Sequence, residues 1–157
     1  MSGHDANKAL QDLGITLPQP SVPRANFEPF ALAGDLLFVS GQIPRWEGAV
    51  RYSGKVGSDL TIQDGQEAAK ICAMNIVSHV RAACGGDLNR VKRVVRVAGL
   101  VNCSPDFTEQ PSVINGCSDF LRAVFGEAGR HARIATGASS LPANAAVEIE
   151  ALFQLRQ

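Results

Sequence analysis

The stretch Gly129–Gln157, GRHARIATGASSLPANAAVEIEALFQLRQ, decides how this chain is read. β-Branched and apolar residues alternate on both sides of Leu141-Pro142-Ala143-Asn144, which predicts two short strands meeting at that corner as a hairpin. In the second strand Val147, Ile149, Ala151, Phe153 and Leu155 share one face and leave Glu148 and Glu150 on the other, because successive strand side chains point to opposite sides. Arg133 stands at the start of the first strand. Pairing across the corner would bring its guanidinium within reach of one or two glutamates at a sheet end. An arginine can hold a carboxylate bidentately, and a nearby glutamate can take a proton from water. The same residues can equally form an ordinary solvated salt bridge across a strand pair.

Upstream of this stretch, Val113–Phe125 has a helical repeat with Phe120, Leu121, Val124 and Phe125 on its apolar side, closed by Gly126 and Gly129. A turn at Ser104-Pro105-Asp106-Phe107 separates it from the segment Leu88–Asn102, which holds the strand VVRVAGLVN with Gly99 as a candidate bulge. Thr61–Ala83 is the long helix, its apolar side running through Ala68, Ile71, Cys72, Ile76, His79, Val80 and Ala83 until Gly85-Gly86 stops it. The glycine-containing segment from Gly41 to Asp59 reads as a loop with the single Trp, Trp46, the single Tyr, Tyr52, and an edge strand near Ala49–Tyr52. Phe30–Ala33 and Leu36–Ser40 form a hairpin around Gly34-Asp35. The second of these, LLFVS, has the composition of a strand buried on both faces. Residues 1–24 add a short helix, Ala6–Leu13, with Ala9, Leu10 and Leu13 on one side, and a proline-rich connector. The order β-β-(β)-α-β-α-β-β after that helix predicts one α+β domain over residues 1–157. It is a two-layer sandwich, a mixed β-sheet with two helices on one face. The apolar set on the strands exceeds what two helices cover, so self-association is expected.

Composition narrows the function. Lys plus Arg and Asp plus Glu both number 15 in 157 residues, which is not the positive excess that a phosphate backbone requires, so nucleic acid is an unlikely partner. Arg90, Lys92, Arg93 and Arg96 read as the exposed side of a strand. Cys72, Cys84, Cys103 and Cys117 show no C-x-x-C pair, and His4, His79 and His131 are scattered, so no metal site is expected. The amino terminus lacks the pattern of a signal peptide and no stretch is apolar enough to span a membrane, so the expected location is cytoplasmic.

Several stretches match one family in order and spacing: LLFVSGQIP at Leu36–Pro44, the loop after it, the long Ala-containing helix, Ala132-Arg133, and LPANAAVEIEAL at Leu141–Leu152. Over roughly Ala25–Leu155 the chain resembles the Rid (reactive intermediate/imine deaminase) proteins, also called the YjgF or endoribonuclease L-PSP family, and resembles them as a divergent branch. The resemblance implies a chorismate-mutase-like fold of the bacillus type, assembled as a homotrimer with clefts between subunits. Each cleft would hydrolyse a small 2-imino acid to a 2-keto acid and ammonia without a cofactor. It implies that Arg133 clamps the substrate carboxylate and that Glu148 positions the attacking water. Phe30 stands where the best-studied subgroup has a tyrosine, and Ala135 where it has a cysteine. Ser40, with Gly41 after it, matches a cleft serine, and the pocket asparagine falls near Asn115 to Ser118. Backbone N–H groups at Ile134 and Ala135 are candidates to fix polar atoms of the substrate. His131 is a further candidate acid, ranked below Glu148. The departures at Phe30 and Ala135 keep open a non-catalytic trimeric module that binds a small carboxylate metabolite. The family's older description, an endoribonuclease or translation initiation inhibitor, finds little support in the neutral charge.

Overall fold

The computed structural model describes residues 3–157. In chain order the elements are α1 (Ala6–Asp12), β1 (Phe30–Ala33), β2 (Leu36–Gln42), β3 (Arg45–Trp46), β4 (Ala49–Val50), α2 (Ile62–Ala83), β5 (Val91–Asn102), α3 (Gln110–Phe125), β6 (Ala132–Ala138) and β7 (Val147–Leu155). Five strands form one sheet in the order β1-β2-β7-β5-β6, and β3–β4 is a separate ribbon. The β5–β6 pair is parallel and the other neighbours are antiparallel, giving the mixed sheet of an α+β sandwich.

The long helix starts at a reciprocal cap. Thr61 Oγ1 accepts from the Asp64 N–H at 3.1 Å and the Asp64 carboxylate accepts from the Thr61 N–H at 2.9 Å, so two otherwise orphaned donors are satisfied. α3 carries Pro111 in its first turn, where a missing N–H costs nothing, and stops at Gly126 with φ +61°. Both helices lie on one face of the sheet and meet each other very closely. A Cβ on Gly116 of α3 would sit 2.1 Å from the Gln66 carbonyl oxygen of α2. Leu37, Ile76, Leu121, Ile149 and Phe153 are fully buried between the layers, each contributing about 1.5–3 kcal/mol relative to exposure. Phe125 meets Phe153 edge-on at 6.0 Å.

α1 is tied down rather than loose. The Ala6 N–H donates to Asn89 Oδ1 at 2.8 Å, and Leu10 is buried in the common core. Leu13 lies just past the helix end and is exposed, against the expectation that it shares the apolar side. The proline-rich connector crosses α2, where Ser78 Oγ donates to the Pro18 carbonyl at 2.6 Å.

Four local expectations are corrected. β6 and β7 do not form a hairpin: both pair with β5, one on each side. The connection between them steps over the end of β5, where Asn102 Nδ2 donates to Asn144 Oδ1 at 3.3 Å, and Ala143 and Asn144 take positive φ to make the corner. Placing β5 inside the sheet pairs both of its edges, which a hairpin would not do. Gly99 is not a bulge, since the register shifts of β5 lie at Val91/Arg93 and Val94/Arg96. Its missing side chain makes room for Ile114, whose Cδ1 would be 2.5 Å from a Cβ there. The segment near Ala49–Tyr52 contributes to the β3–β4 ribbon and not to the main sheet. β2 is buried on its helix side alone, for Phe38 on the other face is 47 % exposed. Leu100 and Ile134 are exposed on that same outer face.

Candidate functional site

Register decides which candidate side chains share a face. Arg133 pairs with Val97, which pairs with the buried Ala151, so Arg133 points to the helix side at the sheet's β6 edge. Glu148 pairs with Leu100, which is on the outer face. The two residues therefore lie on opposite faces, two strands apart and three positions displaced, or roughly 14 Å between Cα atoms from ordinary strand spacing. The Arg133–glutamate contact expected across the corner is not formed within one copy. Glu150 instead faces Arg96 across 3.7 Å of exposed surface, a pair of little energetic weight.

Arg133 is held by α3. Its Nη1 donates to Asn115 Oδ1 at 2.8 Å and to Ser118 Oγ at 3.1 Å, and its Nη2 donates to the Pro111 carbonyl at 3.3 Å. Pro111, Asn115 and Ser118 recur at four and three residues and so form one stripe of the helix. A guanidinium has five N–H groups, and this arrangement uses three. Nε–H and one Nη2–H are left for a ligand, and among the described residues no carboxylate pairs with this cation. An exposed, oriented and unneutralised arginine is suited to a carboxylate. Both ends of the Asn115–Ser118 span thus meet Arg133, and the Pro111 carbonyl joins them.

Ala135 shares the face of Arg133, and its methyl leaves no thiol or hydroxyl there. Because consecutive N–H groups of a strand point to opposite sides, one of Ile134 and Ala135, not both, presents its N–H away from β5.

The second group lies around β7, β2 and β1. Glu148 is half-buried against Gly41; a Cβ on Gly41 would fall 2.7 Å from Glu148 Oε1. Burial, with the neighbouring charge of Glu150, pushes the Glu148 carboxyl above its usual range. Ser40 Oγ donates to the Glu28 carbonyl at 2.6 Å, and Phe30 packs on the edge of the core. These two residues border a groove of about 470 Å³. Gly41→Ala is expected to leave thermal stability nearly unchanged, because the flexible end of Glu148 can swing aside from the added methyl; a melting curve of the variant checks this.

Cys72 and Cys117 are fully buried, and burial pushes the Cys117 thiol up to about 12, which makes it a poor nucleophile. Trp46 packs on the core, and Asn75 Nδ2 of α2 ties its ribbon by donating to the Arg45 carbonyl at 2.9 Å. Among the described residues no group of His, Cys, Asp and Glu is placed to hold a metal ion, and no helix is long and apolar enough to cross a membrane.

Comparison with known proteins adds an independent line. Residues 7–155 match a family described as "YjgF/chorismate mutase-like, putative endoribonuclease". That span includes nearly all of α1. Protein TCP17 of Trypanosoma cruzi is 49% identical over 147 residues, 93% of this chain and 91% of that protein. The structure of Atu1372 from Agrobacterium tumefaciens, a protein of unknown function, is 45% identical, covers 96% of this chain and 92% of its own, and superposes with a TM-score of 0.90. A "putative endoribonuclease" from Shewanella oneidensis is 32% identical, with 97% and 100% of the two chains covered and a TM-score of 0.93.

Proposed function

Because this chain belongs to the YjgF/chorismate mutase-like family, we propose that it hydrolyses small 2-imino acids to 2-keto acids and ammonia in a cleft built by two copies of the chain. The observation that carries this reading is Arg133: a guanidinium fixed by three bonds to one helix stripe, with a two-donor edge left over. That edge matches the two oxygens of a carboxylate. The acid–base group, Glu148, faces the other side of the sheet, so the opposing half of the cleft comes from a neighbouring copy. The exposed apolar side chains of the outer face, Phe38, Leu100 and Ile134, supply the surface for that association, which we take to be the homotrimer.

In the assembled cleft Arg133 holds the substrate carboxylate and Glu148 of the neighbouring copy takes a proton from a water as its oxygen adds to C2 of the C=N bond. The same carboxyl returns the proton to nitrogen. The carbinolamine so formed hands its C2 hydroxyl proton to the amino nitrogen through the same carboxyl; the O–H electron pair becomes the C=O bond, the C–N bond breaks and ammonia leaves with its electron pair, so atoms and charge balance without a cofactor. Phe30 and Ala135 contribute shape and no hydrogen bond from their side chains. The sign of the pH dependence follows from Glu148. Its base form is needed and burial raises its pKa, so kcat should fall as pH drops through a midpoint above the ordinary 4.5, read from the pH profile of the wild-type protein.

The test is the decay of 2-iminobutyrate generated in situ by a pyridoxal-phosphate enzyme, followed with and without the protein. Acceleration that is lost in Glu148→Gln is the expected result, and decay at the uncatalysed rate with every imino acid tried would overturn it. One observation favours a binding module as the second reading: Arg133 is positioned without help from Glu148. Calorimetric binding of a 2-keto acid with background turnover would select that reading.

A further inference from the structure

Behind Arg133 lies a hydrogen-bonded chain that the hydrolytic reading does not use. The Gly129 carbonyl can accept and not donate, so His131 Nδ1, 2.6 Å away, carries a proton. In the neutral ring Nε2 is then the acceptor, and its partner at 2.9 Å is Ser118 Oγ, which must donate to it. With its proton committed to the imidazole, Ser118 turns a lone pair toward Arg133 and accepts Nη1–H at 3.1 Å. Burial holds His131 below the usual histidine range, with the adjacent Arg133 charge acting in the same direction and the Gly129 bond opposing, so the neutral ring is the working form.

We propose that Ser118 and His131 are positioning residues that fix which edge of the Arg133 guanidinium receives the substrate carboxylate, a role that rests on the hydrolytic reading of the site. Asn115 and Ser118 together consume both N–H groups of Nη1, and Pro111 takes one from Nη2. The donors that remain, Nε–H and the second Nη2–H, belong to the side-on fork. The end-on fork is closed. Without the Ser118 hydroxyl, or with it pointed the other way, Nη1 has a donor to spare and a carboxylate can bind across Nη1 and Nη2 instead. Such binding keeps a charge-assisted pair but moves C2 away from the water aimed by the neighbouring Glu148, and a misplacement of about 1 Å is enough to cost 10²-fold in rate. His131 acts through Ser118, touching neither substrate nor water.

The experiment compares Ser118→Ala, Ser118→Thr, His131→Ala and the Ser118→Ala/His131→Ala pair in full-length protein. It uses kcat for 2-iminobutyrate, the Kd for 2-ketobutyrate by calorimetry, and ¹⁵N NMR of the His131 ring. Expected are a kcat loss of at least about tenfold in Ser118→Ala with Kd changed by less than about threefold, rescue to within about threefold in Ser118→Thr, and a double variant no worse than Ser118→Ala. The His131 ring should be the neutral Nδ1-protonated tautomer at pH 7, and 2-ketobutyrate should shift Nε2 in the wild type but not in Ser118→Ala. An unchanged kcat in Ser118→Ala, or an Nε2-protonated ring, overturns the proposal. Absence of wild-type turnover overturns the hydrolytic reading instead, and the NMR arm then still decides for or against the positioning chain.

Discussion

Replacing Arg133 by alanine is expected to lower kcat/KM for a 2-imino acid by about 10²–10⁴-fold while moving the melting temperature by no more than about 2 °C. Two charge-assisted hydrogen bonds to a carboxylate contribute roughly 1.5–3 kcal/mol each, and about 1.4 kcal/mol is a factor of ten. The small cost in stability follows from the surroundings. Arg133 is exposed on an edge strand, none of the described carboxylates pairs with it, and its three acceptors remain open to water when it is removed. Arg133→Lys should recover little. An ammonium supplies the charge but not a planar two-donor edge, and it cannot satisfy Asn115, Ser118 and Pro111 while facing a ligand. Steady-state kinetics with scanning calorimetry on both variants checks the expectation, and a kcat/KM within threefold of wild type for Arg133→Ala would contradict it.

The largest loss of stability is expected from Gly116→Ala. A Cβ there would lie 2.1 Å from the Gln66 carbonyl oxygen and 2.9 Å from its Cα, and that backbone is in the second turn of α2 and cannot turn aside as a side chain can. The two helices must separate, which loosens the packing around them. Overpacking of this kind costs about 3 kcal/mol, the upper end of the usual range, or roughly 6–12 °C of melting temperature for a domain of this size. The change also reaches function, because the neighbouring Asn115 and, one half-turn on, Ser118 hold the guanidinium. Binding of 2-ketobutyrate should weaken even at temperatures where the variant remains folded. Gly116→Ala that melts within 2 °C of wild type would show that the helix contact has room the structure does not give it.

Much of the fold is legible in the residues themselves. The helical repeat of α2 between the Thr61–Asp64 cap and Gly85-Gly86, and the alternation of β7 from Val147 to Leu155, specify their elements locally. The partner of β7 is not written in β7. An alternating strand pairs equally well with either neighbour, and what moves β6 to the far side of β5 is the pairing of β5's second edge, a property of the whole sheet. That one topological difference also explains the site. Arg133 and Glu148 were legible as chemistry, but a hairpin would have joined them within one copy, whereas the observed register sends them to opposite faces. Ser118 and His131 carried no motif. Their roles depend on which atom of each faces the guanidinium, and this becomes visible once α3 is laid beside β6.

The central claim is that one chain supplies the cationic edge and a different chain supplies the carboxyl base of the same cleft. It is tested most directly by co-expressing Arg133→Ala and Glu148→Gln subunits and measuring imine hydrolysis by the purified mixed assembly. Each variant alone should run at background. Equal mixing in a ring of head-to-tail contacts leaves about one cleft in four with both residues intact, so about a quarter of wild-type activity should return. Background activity at every mixing ratio, from subunits shown to have exchanged, would contradict the account.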